Sequence, residues 1–407
     1  MHVLFVTEFV PLPLNTGGRI RTFQILKQAA RRHCVTVVTH GSSKEAKSLM
    51  DKTGARVIEI PIPKGEKFRR VFGALASIAD ERPYPVVGVH YDSQLAKTLG
   101  ELVSTEKIEL VHLDHLDAAV YAPFKKIPML LDEHNFETRL LKRTAENTRN
   151  PLLRWYLQVQ AERLLHWEAN ICGECSMVTS VSHEDAAEIT NVSPNSLVNV
   201  VPNGVDTEFF RMKDRDPRPG SLVFVGSMDW SANIDATEWC VGEILPLLPN
   251  AQLTIVGRNP PSKVMRLADG KRVIVTGSVP DVRPFMAKAE VFIVPLRVGG
   301  GTRLKILEAF SMGIPVVSTT VGSEGLGVQN EQELLLGDTS EALAKNIIRI
   351  QNSPELAMRL AERAMVVSHR FSWDAVGNEL EEAYADAVFQ SQSEIDTPLS
   401  RQVAFSF

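Results

Sequence analysis

Short runs of aliphatic, largely β-branched residues alternate with helix-spaced segments along the chain, and the pattern runs through twice. In the first half the runs are His2–Thr7, Val35–Thr39, Arg56–Ile60, Glu109–Leu113, Met129–Leu131, Met177–Val181 and Val198–Val201. In the second half they are Ser221–Val225, Gln252–Val256, Arg272–Thr276, Val291–Pro295, Pro315–Ser318 and Glu333–Leu336. Continuous Val/Ile/Leu runs, without in–out alternation, suit strands of a parallel sheet covered on both faces. Between them lie segments with helical spacing, such as Ile20, Phe23, Leu26 and Ala30. Strand–helix–strand alternation implies right-handed crossovers and a doubly wound α/β sheet. The stretch Asp206–Gly220 is charged, holds two prolines and ends in glycine. It reads as a linker between two such units, so we expect two Rossmann-like domains facing a central cleft.

Composition narrows the function classes. The chain has 407 residues, 44% hydrophobic and 23% charged, which is ordinary for a globular protein of two or three domains. A formal net charge of −5 argues against bulk binding of nucleic acid. No apolar run reaches the roughly 20 residues of a membrane-spanning helix. The opening MHVLFVTEFV lacks the basic start and long apolar core of a secretory leader. Four cysteines do not make a disulfide framework, so a cytoplasmic setting is expected. Cys172 and Cys175 form a CGEC motif that closes a helix instead of opening one, and they read as structural cysteines. Lys64, Lys67, Arg69 and Arg70 surround Phe68, Val71, Phe72 and Leu75. That stretch reads either as a solvated helix face or as a peripheral contact with the cytoplasmic face of the inner membrane.

In open α/β sheets, ligands sit beyond the carboxyl ends of the strands. After the first strand, Gly17 and Gly18 open a helix with Arg19 beside them. This is an anion site or simply a flexible loop and a helix start. After the fourth strand, HLDHLDA presents Asp114, His115 and Asp117, with Asp114 and His115 as candidates for acceptor contact and a metal site as a further alternative. After the fifth, DEHN presents His134, a catalytic candidate or a buried, satisfied histidine. Residues 295–313 read PLRVGGGTRLKILEAFSMG. Amides at Gly300, Gly301 and Thr302, with Arg303 and Lys305, combine a helix N-terminus and two cations, which suits a diphosphate. Glu308 can accept two hydroxyl hydrogen bonds from a ribose. An amphipathic helix with a surface Arg–Glu pair is the structural alternative.

These residues, in this order, resemble the retaining GT-B glycosyltransferases of family 4. The likeness runs through GGRIRTFQIL, DEHN, SVSHED, VVPNGVDTEFF, FVGSMDWSANIDATEW, LTIVGR, VTGSVPDVRPFMAKAEVFIVPL and GGGTRLKILEAFSMGIPVVST. It covers residues 1–390, and the wording GSMDW…N and GGGTRLK is similar to the branch associated with bacterial exopolysaccharide assembly. The resemblance implies an acceptor-binding domain over residues 1–205, a linker over 206–220 and a nucleotide-sugar domain over 221–371. It further implies a helix over 372–390 crossing back to the first domain, and residues 391–407 are read as a loose tail.

By the same resemblance, Gly17 and Gly18 approach the donor diphosphate and the sugar; the residues themselves add Arg19, Gly301, Thr302, Arg303 and Lys305 as holders of the diphosphate. Gly300, Gly301 and His134 lie at the transferred sugar. Ser227, Asn233, Arg258, Gly277, Ser278, Val279 and Glu308 hold the base and ribose. The implied co-substrate is a UDP- or GDP-sugar, the acceptor a saccharide or lipid-linked saccharide, and no metal is expected. Two positions depart from the family pattern. The first glutamate of E-x7-E is Gly300, and the usual Arg and Lys after the first strand of the second domain are Ser227 and Ala232. Arg303 and Lys305 are expected to supply the missing charge. A non-catalytic nucleotide-sugar-binding protein and a GT-B epimerase are the alternative readings.

Overall fold

The computed structural model describes residues 1–62, 83, 84, 86, 89–122, 124, 127–146, 148, 150–212, 215–298 and 303–396. Side chains are described as far as residue 391. The basic stretch around Lys64–Arg70 and the positions Gly300, Gly301 and Thr302 fall outside them. The chain forms two compact units, Met1–Val201 together with the chain from Gly377 onward, and Pro202–Val376.

The first unit holds a seven-stranded parallel sheet in the order β3-β2-β1-β4-β5-β6-β7. Its strands are β1 (His2–Phe9), β2 (Cys34–His40), β3 (Arg56–Ile60), β4 (Leu110–Asp114), β5 (Met129–Glu133), β6 (Met177–Ser180) and β7 (Val198–Val200). Strands β1, β2, β4 and β5 are buried along almost their whole length, which is why they read as continuous apolar runs. Register decides which polar residues meet: Asp114 pairs with Asp132, and Asp132 with Thr179. Successive residues of a strand point to opposite faces. His112, Asp114 and Asp132 therefore share one face, while Glu133 turns to the other.

The helix Gly17–Arg32 follows β1. Thr16 caps it by accepting a hydrogen bond from the Arg19 amide, and Arg31 and Arg32 complement the dipole of its last turn. Phe23, Ile25, Leu26 and Ala29 line its buried side. The final helix, Trp373–Asp396, runs beyond residue 390, so part of the stretch read as a loose tail is helical. From Gly377 onward it belongs to the first unit. There Arg32 donates to the Gly377 carbonyl and to Asn378 Oδ1, His33 meets Glu381 at 2.8 Å, and buried Tyr384 meets His112 Nδ1 at 2.9 Å.

The second unit holds a six-stranded parallel sheet in the order β10-β9-β8-β11-β12-β13. Its strands are β8 (Ser221–Val225), β9 (Gln252–Val256), β10 (Val273–Val275), β11 (Val291–Val294), β12 (Val316–Ser318) and β13 (Leu335–Leu336). Its core joins Phe224, Ile255, Phe292, Phe310 and Ile347. Each such side chain contributes about 1.5–3 kcal/mol on burial. The segment expected over Ile234–Leu248 as one helix is an α-helix over Ser231–Trp239, a π-turn over Cys240–Ile244 and a 3-10 turn over Leu245–Leu247. Pro246 explains the late break, because it has no amide to continue the helix.

The stretch Asp206–Gly220 is built into this unit. Phe210 is part of the core, and the Arg283 guanidinium lies 3.7 Å from the Phe209 ring centroid. Arg215 donates to the carbonyls of Gly313 and Ala289. Among the described residues, no helix is long and apolar enough to cross a membrane.

Candidate functional site

In the first unit the two paired aspartates pose a problem that two cations solve. Asp114 and Asp132 are adjacent, buried carboxylates, and like charges so placed repel strongly. Arg21, 1% exposed, clamps Asp132 with Nε at 3.1 Å and Nη2 at 2.5 Å. Thr179 donates to Asp132 Oδ1 at 2.7 Å. His134 Nε2 lies 3.2 Å from Asp114 Oδ1 and 3.5 Å from Asp132 Oδ2. Thr7 and Thr22 donate to Asp114 Oδ2 at 2.7 and 2.8 Å. Burial alone would raise Asp132, but Arg21 and His134 outweigh it and hold the carboxyl well below its usual range. Burial opposes a charged His134, yet Asp114 and Asp132 prevail and raise it above an ordinary histidine.

His134 Nδ1 is left facing Gly18, where an added Cβ would lie 4.0 Å away. The sequence-based residues Gly18, Asp114 and His134 are thus together in space. Asp114 is 3% exposed, accepts from Thr7 and Thr22 at one oxygen and meets His134 at the other. Arg19 turns its guanidinium back onto the Leu12 carbonyl at 3.1 Å. Arg21, absent from the sequence reading, is the central cation of this site; its partner Asp132 lies 111 residues away.

His112 occupies the same face. It stacks on Phe5 at 4.2 Å, and burial pushes its pKa down to about 4, so it stays neutral. On the opposite face Glu133 is buried with neither oxygen hydrogen-bonded, and burial followed by the charge of Glu168 raises it well above a normal carboxyl. Cys172 and Cys175, both buried and free, have thiols pushed far up by burial, as inert structural cysteines do.

In the second unit the sequence-based residues converge at the end of β8. Gly226 hydrogen-bonds to the Val256 carbonyl at 3.0 Å, and a Cβ on Gly257 would stand 1.9 Å from the Gly226 oxygen, so only glycine fits at 257. Beyond Gly226, Asn233 donates to the Ser227 carbonyl at 2.7 Å and accepts from Lys305 Nζ at 2.9 Å. The Lys305 ammonium also sits 4.4 Å from the Phe224 ring centroid, a cation–π position. A Cβ on Gly226 would press on both Asn233 and Lys305, at 2.8 Å each.

Arg303 is buried at the N-cap of the helix Leu304–Ser311, its guanidinium 5.6 Å from the Trp230 ring centroid. Burial, then Arg303, pulls Lys305 down to about 7. Burial lifts Glu308 to about 7, against the pull of Lys305. Arg258 reaches across from β9, donating to Ser227 Oγ at 3.0 Å and pairing with Asp229 at 2.8 Å. Gly277 has φ +70°, and the turn Gly277–Val279 is partly open to solvent.

Two family models match the chain. "Glycosyltransferase Family 4" matches residues 16–209, and "Glycosyl transferases group 1" matches residues 219–353. A curated relative, an uncharacterized 44.6 kDa protein in the cps region of Klebsiella pneumoniae, is 24% identical over 257 residues. That match spans 55% of this chain and 65% of the relative's length. Among solved structures, a glycosyltransferase from Rickettsia africae is 15% identical, with TM-score 0.67 over 95% of this chain and 98% of the other. Anabaena HepE in complex with UDP-glucose is 15% identical, with TM-score 0.67 over 95% of this chain and 99% of that one. The two models follow one another along the two parallel-sheet units of a fold that these solved enzymes share, and the chain belongs to the family 4 glycosyltransferases of GT-B fold.

Proposed function

We propose that the protein transfers a hexose-type sugar from a UDP- or GDP-sugar to a saccharide or lipid-linked acceptor, with retention of anomeric configuration, in polysaccharide or glycoconjugate biosynthesis. The observation that carries the reading is Lys305. Its ammonium stands at the end of β8, on Asn233 and against Gly226. That is the strand end after which Ser227 and Ala232 leave no cation of their own. A leaving diphosphate needs cations and amides aimed at the charge it develops. Lys305 and Arg303, with the amides of Gly301 and Thr302 and the glycines Gly17 and Gly18, are assigned to that task, with Arg19 beside them. Glu308 takes the ribose hydroxyls. Ser227, Asn233, Arg258 and the turn of Gly277, Ser278 and Val279 take the base and ribose. Gly300, Gly301 and His134 take the transferred sugar.

In the step itself, the bond from the anomeric carbon to the phosphate oxygen breaks. A bond from the same carbon to the acceptor oxygen forms on the same face. The acceptor's proton passes to the leaving phosphate. His134, held by Asp114 and Asp132, steadies the positive charge at the sugar through its ring or carbonyl, and Arg21 fixes that arrangement from behind. The two cations do the work that a divalent metal does in other transferases. Similarity to HepE, solved with UDP-glucose, supports a UDP-sugar as the first donor to try.

A thermal-shift series with UDP- and GDP-sugars tests the assignment. A bound donor raises the melting temperature in proportion to its affinity, and the double variant Arg303→Ala, Lys305→Ala abolishes the shift. A double variant that binds as tightly as wild type refutes the role of these cations. Slow donor hydrolysis without acceptor separates an enzyme from a nucleotide-sugar sensor. NMR of the product's anomeric configuration decides retention against inversion.

A further inference from the structure

Beside His134 lies a row of acids and histidines that the donor chemistry does not use. Glu8 is the next-to-last residue of the interior strand β1, His90 precedes the helix Ser93–Thr105, His115 and Asp117 follow β4, and Glu137 follows β5. Glu8 Oε1 meets His90 Nδ1 at 2.5 Å, and His90 Nε2 meets Asp117 Oδ1 at 3.5 Å. Asp117 Oδ2 meets His115 Nδ1 at 3.1 Å, and His115 Nε2 meets Glu137 Oε1 at 3.1 Å. The His115 ring stands edge-on to His134 with centroids 5.0 Å apart.

All five side chains are 15–24% exposed, so the row is reachable along its length without being freely solvated. His115 is held at φ +74°. Such a strained backbone persists only where the surrounding structure over-determines it. Behind Glu8, His40 Nδ1 donates to the Glu8 carbonyl, 3.0 Å away. His40 Nε2 is buried without a hydrogen-bond partner, 3.8 Å from Asp92 on the rim of the row.

We infer that Glu8, His90, Asp117, His115 and Glu137 form the acceptor subsite and select a neutral or amine-bearing saccharide over one that carries a phosphate or carboxylate near the reacting hydroxyl. The inference rests on the glycosyltransferase reading above and adds the acceptor's chemical class. Even with both imidazoles protonated, three carboxylates leave the row one charge negative. A sugar hydroxyl or ammonium can donate to such carboxylates in a charge-assisted hydrogen bond. An anion brought there meets like charge in a partly dry site. The ligand atoms of Glu8, His90 and Asp117 lie within 4.8 Å of one another, which also suits a divalent cation. Against that, although burial opposes it, Glu8 and Asp117 raise the His90 pKa and favour the doubly protonated ring, whereas a metal needs one bare nitrogen.

The experiment uses the whole chain and the donor identified by thermal shift. Methyl hexosides, methyl 2-amino-2-deoxyhexosides and methyl hexuronides are supplied as acceptors at millimolar concentration. Neutral and amino glycosides should stimulate donor consumption at least tenfold more than the hexuronides. Glu8→Gln and Asp117→Asn should shrink the preference for amino glycosides over hexuronides at least fivefold while the donor-induced thermal shift persists. Glu101→Gln, on the exposed side of the helix Ser93–Thr105, should leave the preference intact. Equal use of hexuronides overturns the inference, as does a panel in which no glycoside stimulates turnover although the donor binds. Micromolar Zn2+ binding that Asp117→Asn abolishes also overturns it, in favour of a metal site. A protein whose melting temperature no nucleotide sugar moves instead refutes the donor reading.

Discussion

The two candidate sites handle charge in opposite ways. Around His134 in the first unit each charge has its counter-charge: Arg21 on Asp132, His134 between Asp132 and Asp114, and threonines on the remaining oxygens. In the second unit Lys305 and Glu308 are both driven to about 7 by burial, and the lysine leans on the neutral amide of Asn233. The first arrangement is finished before any ligand arrives. The second holds its groups near the point of changing charge, which a ligand diphosphate and ribose can tip. Catalytic geometry and ligand-responsive charge are thus assigned to different halves of the chain.

Four substitutions break or sharpen this contrast. Asp132→Asn removes the counter-charge of a buried arginine, and breaking such a pair costs about 3–5 kcal/mol. Chemical denaturation should register that loss; a loss under 1 kcal/mol contradicts a self-sufficient first site. Next, His134→Ala should slow turnover on the order of a hundredfold, the range of a positioned catalytic group, with melting temperature held within a few degrees. Unchanged turnover removes the histidine from the reaction.

Lys305→Met comes third, with donor affinity expected to fall roughly tenfold at pH 6.5, the value of about one charge-assisted contact. The sign of its pH dependence follows from the lysine. A diphosphate favours the ammonium, so the Lys305 contribution to wild-type affinity weakens as pH rises through about 7, and isothermal titration should find that the variant lacks this contribution and keeps only the pH dependence that Glu308 imposes. The smallest effect belongs to Glu133→Gln. The folded state holds the Glu133 proton more tightly than the unfolded chain does. Its contribution is therefore full below the ordinary carboxyl pKa near 4 and is lost as pH rises through the raised one. Melting temperatures from pH 5 to 8 should decline in wild type and decline less in the variant; equal declines remove Glu133 as the source of that pH dependence.

Much of the fold was legible because parallel strands buried on both faces leave apolar runs that need no partner to be recognised. The five-residue runs at Arg56–Ile60, Ser221–Val225 and Gln252–Val256 match strands to the residue. His134 was legible because DEHN follows a strand directly. Arg21 was not: helical periodicity marks only its neighbours Phe23 and Leu26 as inward, and its partner is fixed by sheet order. Of the row, His115 and Asp117 stood out after a strand, but Glu8 and His90 were hidden, since they come from separate segments and share no spacing with them. The late π-turn at Cys240–Ile244 gave no signal beyond Pro246. The donors around Asp114 were not legible either, because strand position shows that a carboxylate ends a strand, but not how many donors surround it.

The closing helix carries a consequence for biosynthesis. Tyr384 reaches buried His112, while Arg32 and His33 take Gly377, Asn378 and Glu381 as partners, so the first unit is completed by residues near the far end of the chain. A ribosome releases Pro202–Val376 in full before Tyr384 emerges. The second unit can therefore finish folding while the first still has an unfilled seam beside His112, and nascent chains arrested near residue 370 should expose that seam to protease or chaperone.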